Sequence, residues 1–214
     1  RVFFDTTFTR TQVGNVGITR TVRRLQEELQ EILPPQLPLQ CVAYHSSGYR
    51  LVETAEPKSS TRSPEVRDSL AARLLRWISG SFARRMAFSW VSLLLLFWTW
   101  RVQSAWTFDA LTADAKSHSF AKGDLLLLCD ASWSCNAWKA ARLPREQGAK
   151  TPILVHDLIP VTQPEYSSAL TTKIFEIWLR QMLANSDAII CNAKATETDL
   201  RGSADKNRIV LPPT

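Results

Sequence analysis

The segment Asp124-Leu125-Leu126-Leu127-Leu128-Cys129-Asp130 decides the fold class of this chain. It is a continuous apolar run closed by an acid, without the alternation of apolar and polar residues that marks a half-exposed strand. Such runs are typical of strands covered on both faces, as in a parallel sheet. Similar short runs recur at residues 1–5, 39–44, 153–157, 188–192 and 208–211.

Helix-like segments separate these runs. Apolar residues spaced by three and four predict a first helix that Pro34 and Pro35 end, with one apolar face made of Ile18, Val22, Leu25, Leu29 and Ile32. We expect further helices over residues 137–143, ended by Pro144, and around residues 170–182 and 196–201. Alternating strands and helices predict an α/β fold with a Rossmann-like, doubly wound parallel sheet.

Composition excludes several classes of protein. The chain has 214 residues, 45% of them hydrophobic and 21% charged, which is enough to bury a core without a disulfide or metal. Its four cysteines are widely spaced and have no histidine at ligand spacing, so we expect reduced thiols, a cytosolic chain and no metal site. A net charge of +6 is too weak and scattered to indicate nucleic-acid binding, and no signal peptide is recognisable.

Residues 66–106 interrupt the α/β pattern as a basic, Trp-rich, apolar insertion. Within it, residues 86–100 carry no charge and are flanked or interspersed by Arg84, Arg85, Trp90, Trp98, Trp100 and Arg101. Arginine and tryptophan around a leucine run favour a helix lying on an anionic membrane surface. A buried core helix is an equal alternative, and a membrane span is disfavoured because spanning takes about 20 residues.

Residues that close the apolar runs are the candidates for chemistry, because ligands of open α/β sheets bind beyond the carboxyl ends of the strands. These positions are Asp5, residues 14–20, Asp130, His156, Asp157 and residues 192–196. His156 can donate a hydrogen bond to a polar substrate or take a proton. Alternatively, a neighbouring carbonyl satisfies it, and Asp157 caps the following turn.

Two other pairs in this set are open to a binding and a structural interpretation. Asp130 and Trp133 suit a sugar, through a carboxylate for hydroxyls and a ring face, or else an N-cap with a packed ring. Gly17 and Arg20 could approach a phosphate at a helix start. Their loop lacks both GxGxxG and GxxxxGK[ST], so an ordinary strand-to-helix turn is the alternative.

Several motifs together resemble family 4 glycosyltransferases. They are Gly17-Ile18-Thr19-Arg20-Thr21-Val22, Val155-His156-Asp157-Leu158-Ile159-Pro160 with Pro164-Glu165-Tyr166, residues 186–196, and Arg208-Ile209-Val210-Leu211-Pro212. The resemblance is weakest over about residues 45–120. It departs from the family at Thr19, where a small glycine is common.

The resemblance implies one half of a GT-B enzyme. Residues 1–211 would be its N-terminal, acceptor-side domain and residues 212–214 the start of the interdomain linker. The enzyme would move a hexose from a nucleotide-sugar, its co-substrate, to a glycan that is often lipid-linked, usually with retention and without a metal or cofactor. His156 would contact the transferred sugar, and Gly17 and Arg20 the donor diphosphate.

The resemblance also implies a missing C-terminal donor-binding domain, supplied in cis or in trans, without which this chain would be inactive. We expect the protein to be cytoplasmic and peripheral to the inner face of a membrane. The alternative hypothesis is a non-catalytic membrane-docking half that recruits a separate catalytic chain. A degenerate remnant without activity is a third.

Overall fold

A computed structural model describes residues 1–12, 17–53, 109, 112–134, 137–207 and 209–212. The predicted insertion at residues 66–106 lies outside these ranges, together with its candidate membrane-contact residues. Its membrane and core interpretations therefore both stay predictions.

Seven strands lie in the described ranges: β1 (Val2–Asp5), β2 (Leu39–His45), β3 (Gly48–Val52), β4 (Ser117–His118), β5 (Leu125–Leu127), β6 (Ile153–Val155) and β7 (Ile189–Cys191). Five pair in the order β4-β3-β2-β1-β5, and β6 pairs with β7. Isolated parallel bridges, Leu125 to Lys150 and Leu128 to Ile153, continue β5 into the β6–β7 pair. The result is a mixed sheet dominated by parallel strands.

The antiparallel part of the sheet was not predicted. β2 and β3 pair antiparallel because only Ser46 and Ser47 connect them, and a parallel crossover needs a much longer connection. Gly48, which ends this turn, has a φ of +131°, a conformation that suits glycine. β4 then adds antiparallel to β3.

The described helices are α1 (Gly17–Ile32), α2 (Ala137–Glu146), the single-turn α3 (Ile159–Thr162), α4 (Ala169–Asn185) and α5 (Lys194–Asn207). Single 3₁₀ turns lie at Thr9–Thr11, Ser132–Ser134 and Pro164–Tyr166. The first predicted helix is confirmed as α1, and the apolar periodicity around residues 170–182 as α4.

Helices cover both faces of the sheet, which confirms the doubly wound α/β prediction. Successive residues of a strand point to opposite faces. Phe3 lies in the larger core cluster, with residues of α2 and α4, including Ala140 and Trp178. Phe4 lies in the second cluster, with Val22 of α1. The apolar runs are continuous because each strand contributes side chains to both clusters.

The prediction that Pro144 ends α2 is wrong. The helix continues to Glu146 with Pro144 inside it. Proline lacks the N–H that would bond the carbonyl of Ala140, four residues earlier. The hydroxyl of Tyr49, from β3, donates to that carbonyl at 2.9 Å. A tertiary hydrogen bond thus replaces the one that Pro144 removes.

The chain end also differs from the prediction. Residues 209–212 form no strand, and Ile209 instead bonds through its N–H to the carbonyl of Ala204 at 2.9 Å. Val210 is 89% exposed, whereas Ile209 and Leu211 are half-buried and pack against the larger core cluster. The preceding helix, α5, is longer than the predicted 196–201.

Candidate functional site

The carboxyl ends of three parallel strands bring their closing residues to one edge of the sheet. β1 ends at Asp5, the β5 run continues to Asp130, and His156 follows β6. Hydrogen bonds link these positions through Thr9, which donates to Asp130, and through Cys129, whose carbonyl contacts His156. The predicted gathering of these residues at one edge is therefore observed for Asp5, Asp130 and His156.

His156 is 9% exposed and is fixed in place by the adjacent strand. Its Nε2 lies 2.8 Å from the carbonyl oxygen of Cys129, which matches the structural alternative for this residue, a histidine satisfied by a neighbouring carbonyl. A carbonyl only accepts, so Nε2 carries the hydrogen and Nδ1 is left as the acceptor of the ring. Among the residues that the structure describes, none forms a hydrogen bond with Nδ1. The contact of His156 with a substrate stays a prediction.

The backbone of His156 is held from α5. Thr196 donates from Oγ1 to the carbonyl of His156 at 3.3 Å. The same hydroxyl lies 3.1 Å from Oδ1 of Asn192. The predicted polar turn at residues 192–196 thus helps to fix the backbone of His156.

Asp130 is buried and its two carboxylate oxygens are both engaged. Oδ2 accepts from the N–H of Thr9, and Oδ1 accepts from the Thr9 hydroxyl and from the N–H of Ala131, each at 2.8 Å. These three bonds give Asp130 a structural role, although they come from Thr9 and Ala131 and do not amount to the helix N-cap that was the structural alternative. Asp130 thereby links the turn after β1 to the end of the β5 run. A sugar-binding role for Asp130 stays a prediction.

Asp5 is fully buried beside Asp130. Its Oδ1 accepts from the N–H of Thr7 at 3.1 Å and from the Thr7 hydroxyl in a short hydrogen bond. Its Oδ2 is buried and has no hydrogen-bond partner among the described residues. Burial, followed by the negative charge of Asp130, raises the pKa of Asp5 to about 7. Burial also raises the pKa of Asp130. Two such carboxyls do not both ionise readily, so the pair titrates as a unit.

Cys129 lies at the same edge, but its thiol has low reactivity. Burial, with the charges of Asp5 and Asp130, raises the pKa of the Cys129 thiol to about 12. The thiol therefore stays protonated and is a poor nucleophile at neutral pH. The cysteines that the structure describes, Cys41, Cys129 and Cys191, are free thiols.

Two arginines in the first turns of α1, Arg20 and Arg23, have different surroundings. Gly17 begins the helix with a φ of +56°, which suits glycine, and Arg20 is exposed. Arg23 instead turns back, with Nη2 at 3.1 Å from the carbonyl of Gln12 and 3.5 Å from that of Thr9. Arg23 therefore ties the helix to the turn after β1, while Arg20 faces solvent. A diphosphate contact by Gly17 and Arg20 stays a prediction.

Trp133 is half-buried in an aromatic cluster and does not stand free at the sheet edge. Its ring lies 5.4 Å from that of Phe175 and 5.5 Å from that of Trp178, measured between centroids. Trp178 also donates from Nε1 to the hydroxyl of Ser132 at 3.0 Å. This packing matches the structural alternative for Trp133, and sugar stacking by its ring stays a prediction.

Asp157 caps the turn that follows β6. Its Oδ1 accepts from the N–H of Ile159 at 3.1 Å. Leu158 between them is buried in the core. This is the structural alternative for Asp157, and its predicted contact with substrate is not tested by the geometry.

Sequence reasoning missed Thr9, Thr7 and Arg23 as organisers of the edge. Threonines directly after an acid at a strand end favour turns in which side-chain oxygens bond nearby backbone. The run of threonines after Asp5 carried that signal locally. Its pairing with Asp130 joins residues about 120 positions apart, so no local pattern identifies it.

Neither a metal-ion site nor a membrane-spanning helix is present within the described ranges. No group of three or more His, Cys, Asp or Glu is placed there to hold a metal ion. None of the helices described is both long and apolar enough to span a bilayer.

Many classes of enzyme share an α/β fold with a histidine at a strand end, so the fold alone does not identify the function. Sequence comparison indicates a distant relationship with glycosyltransferases. Two Escherichia coli relatives, both serotype-specific mannosyltransferase WbdA, are 27% identical to the chain over 96 residues. The match covers 44% of this chain and only 12% and 11% of the two relatives. No family model and no solved structure matches the chain.

Proposed function

We propose that this chain is the acceptor-side part of a glycosyltransferase, which moves a hexose from a nucleotide-sugar to a glycan. The observation that carries the proposal is the position of His156 at the carboxyl edge of a Rossmann-like sheet, where the Cys129 carbonyl holds the ring through Nε2. The distant likeness to mannosyltransferases supports sugar transfer as the chemistry.

The tautomer of His156 determines which ring nitrogen is proposed to contact the substrate. Because Nε2–H is engaged by the Cys129 carbonyl, the ring meets a substrate through the Nδ1 lone pair. It therefore accepts a hydrogen bond from a hydroxyl of the transferred hexose and orients that sugar. Positioning of this kind contributes most when the neighbouring shell is rigid, as the bonds from Thr196 and Cys129 make it.

The nucleotide-sugar would also need a second domain. We propose that a donor-binding domain, in cis or in trans, completes the cleft over this edge, with Gly17 and Arg20 facing the diphosphate. A membrane-linked glycan as acceptor and a place at the cytoplasmic face of a membrane belong to the same proposal. The exposed guanidinium of Arg20 is compatible with an anionic donor.

The test compares His156→Ala and His156→Gln with wild type in the protein carrying its natural flanking sequence. The assay follows transfer from nucleotide-activated mannose and glucose to a lipid-linked glycan. We expect each variant to lose about 100-fold or more in kcat/KM. His118→Ala is the matched control, since His118 is a half-buried histidine that packs against Phe3 but lies on β4.

Thermal melting separates a loss of fold from a loss of chemistry. The proposal for His156 fails if His156→Ala retains its melting cooperativity and transfers sugar at the wild-type rate. It also fails if His118→Ala loses as much transfer as His156→Ala at equal stability. Absence of transfer by the wild-type protein with its donor-binding domain present would reject the glycosyltransferase function itself.

A further inference from the structure

A small cleft lies between the β2–β3 turn and the last turns of α2. It has a volume of about 290 Å³. Its lining has an apolar part, made by Tyr44, Gly48 and Leu143, and a polar part that includes Ser47, Arg142 and Glu146. None of these residues takes part in the site around His156.

The cleft opens near the ligand-binding edge of the sheet. β2 runs parallel to β1, with Asp5 opposite Val42, so the turn at Ser46 and Ser47 lies beyond the carboxyl end of β1. Ligands of open α/β sheets bind on this side. The cleft therefore lies toward the side on which a substrate would approach.

The wall of the cleft formed by the turn is preorganised. The N–H and hydroxyl of Ser46 both donate to the carboxylate of Asp109, at 2.7 and 2.5 Å. The N–H of Ser47 donates to Nδ1 of His45 at 3.1 Å. A turn held by these bonds needs little ordering when a ligand binds, which removes part of the entropic cost of weak binding.

Gly48 keeps the floor of the cleft open. A Cβ at this position would lie 3.5 Å from Cδ2 of Leu143 and would fill space between the turn and α2. The positive φ of Gly48 makes other residues unfavourable here as well. The floor is thus an apolar surface suited to a flat C–H face.

The rim carries paired donors and acceptors. Arg142 and Glu146 form an ion pair at 2.6 Å, with side chains 67% and 54% exposed. An exposed pair of this kind adds little to stability, but it presents guanidinium donors and carboxylate acceptors side by side. Adjacent hydroxyls on a sugar ring each donate and accept, so they match such a pair.

The size of the cleft limits the ligand. Its volume lies just below the range of about 300–1,000 Å³ found for the pockets of drug-sized ligands. A single pyranose ring fits, whereas a complete nucleotide-sugar does not. Apolar floor, hydroxyl-matching rim and size together favour a saccharide.

From these features we infer that the cleft binds one ring of the acceptor glycan, away from the reacting hydroxyl, and so selects the acceptor. This inference rests on the proposed glycosyltransferase function. It assigns Arg142 and Glu146 as binding residues and Leu143 as the platform for the ring. A single ring held at such an open site binds weakly, with a Kd on the order of 1 mM.

The test measures binding of the methyl glycosides of mannose, glucose and galactose by saturation-transfer NMR and by amide shifts in the full chain. We expect at least one glycoside to bind and Arg142→Ala/Glu146→Ala to weaken it about tenfold. The control is Glu197→Ala/Arg201→Ala, which removes an ion pair of the same i,i+4 spacing from α5. It should leave binding unchanged.

Two results would overturn the inference. One is the absence of binding by all three glycosides at tens of millimolar, and the other is equal weakening by the α2 and α5 double variants. Leu143→Trp, which fills the cleft from its floor, should abolish binding, and undiminished binding by this variant would also contradict it.

Transfer kinetics separate this inference from the proposed function. If both hold, Arg142→Ala/Glu146→Ala raises KM for the acceptor and leaves kcat unchanged. If the cleft is not an acceptor site, this KM stays at the wild-type value while transfer still depends on His156. If the proposed function fails, wild type shows no transfer although the cleft still binds sugar.

Discussion

At the scale of single residues, the buried carboxyls after β1 and β5 determine how the protein responds to pH. Asp5 and Asp130 share a dry environment, in which Asp5 has one oxygen without a partner among the described residues and a pKa of about 7. The folded state therefore holds a proton at Asp5 that the unfolded chain releases near pH 4. The free energy of unfolding falls as the pH rises from about 4 to about 7, and it levels off above that.

Asp5→Asn tests this pair because it removes one charge and keeps the shape. Without an ionisable group at position 5, we expect the free energy of unfolding to fall less between pH 5 and pH 8. At pH 8 the variant should be more stable than wild type by about 2–4 kcal/mol. Urea denaturation at several pH values measures this. A pH dependence as steep as that of wild type would show that Asp5 does not hold the proton.

Asp187 offers a control of opposite sign. The N–H of Thr151 and the ammonium of Lys150, with the nearby Arg145, lower its pKa despite partial burial. Its stabilisation is present at neutral pH and is lost as the pH falls below about 4. We expect Asp187→Asn to destabilise the protein at pH 7 by about 1–2 kcal/mol and to have less effect at pH 3. Equal destabilisation at both pH values would contradict an ionic contribution.

At the scale of helices and strands, the hydroxyl of Tyr49 accounts for the length of α2. Tyr49→Phe leaves the carbonyl of Ala140 without its donor opposite Pro144, in a buried position, and should cost about 1–3 kcal/mol. Pro144→Ala restores a backbone N–H to the same carbonyl. It should therefore stabilise the Tyr49→Phe protein more than it stabilises wild type, with a coupling of about 1 kcal/mol. Additive effects in this double-mutant cycle would disprove the replacement.

Local sequence patterns predict some elements of this fold correctly and misplace the ends of others. The periodicity of α1 and the apolar runs of β5 and β6 are local signals, and the structure confirms them. The end of α2 is set by a residue almost a hundred positions earlier, so the local rule for Pro144 gave the wrong boundary. Residues 209–212 have the composition of a strand but no neighbouring strand pairs with them.

The candidate site divides in a similar way. The position of His156 at a strand end follows from sequence, since parallel strands place their carboxyl ends at one edge. Its tautomer does not, because it depends on the carbonyl of Cys129, in the neighbouring strand run. The packing of Trp133 on Phe175 and Trp178 and the capture of Asp130 by Thr9 are likewise tertiary. Sequence therefore located the edge, whereas the structure distinguished the supporting residues from those that can face a substrate.

At the scale of the whole molecule, the sequence concentrates positive charge and apolar residues in one stretch. The net charge is +6, and residues 66–106 concentrate arginine and tryptophan around an uncharged run. If this stretch lies on a lipid surface, the proposed glycan acceptor, attached to lipid, would be brought to the same plane as this chain. Membrane binding would then raise the acceptor concentration at the site without any new contact to the glycan.

Flotation with liposomes containing anionic lipid tests the membrane interpretation of residues 66–106. We expect the wild-type chain to float at low salt and to bind less as salt rises, because surface charges are screened within about 10 Å at 0.1 M salt. Arg84→Glu/Arg85→Glu should reduce binding about tenfold or more, given about 1 kcal/mol for each basic residue. Lys116→Glu/Lys122→Glu makes the same change of charge at two exposed lysines near β4 and β5 and should reduce binding much less. Equal losses in the two double variants would mean that net charge alone drives binding. Failure of the wild-type chain to float at low salt would favour a core helix over residues 86–100.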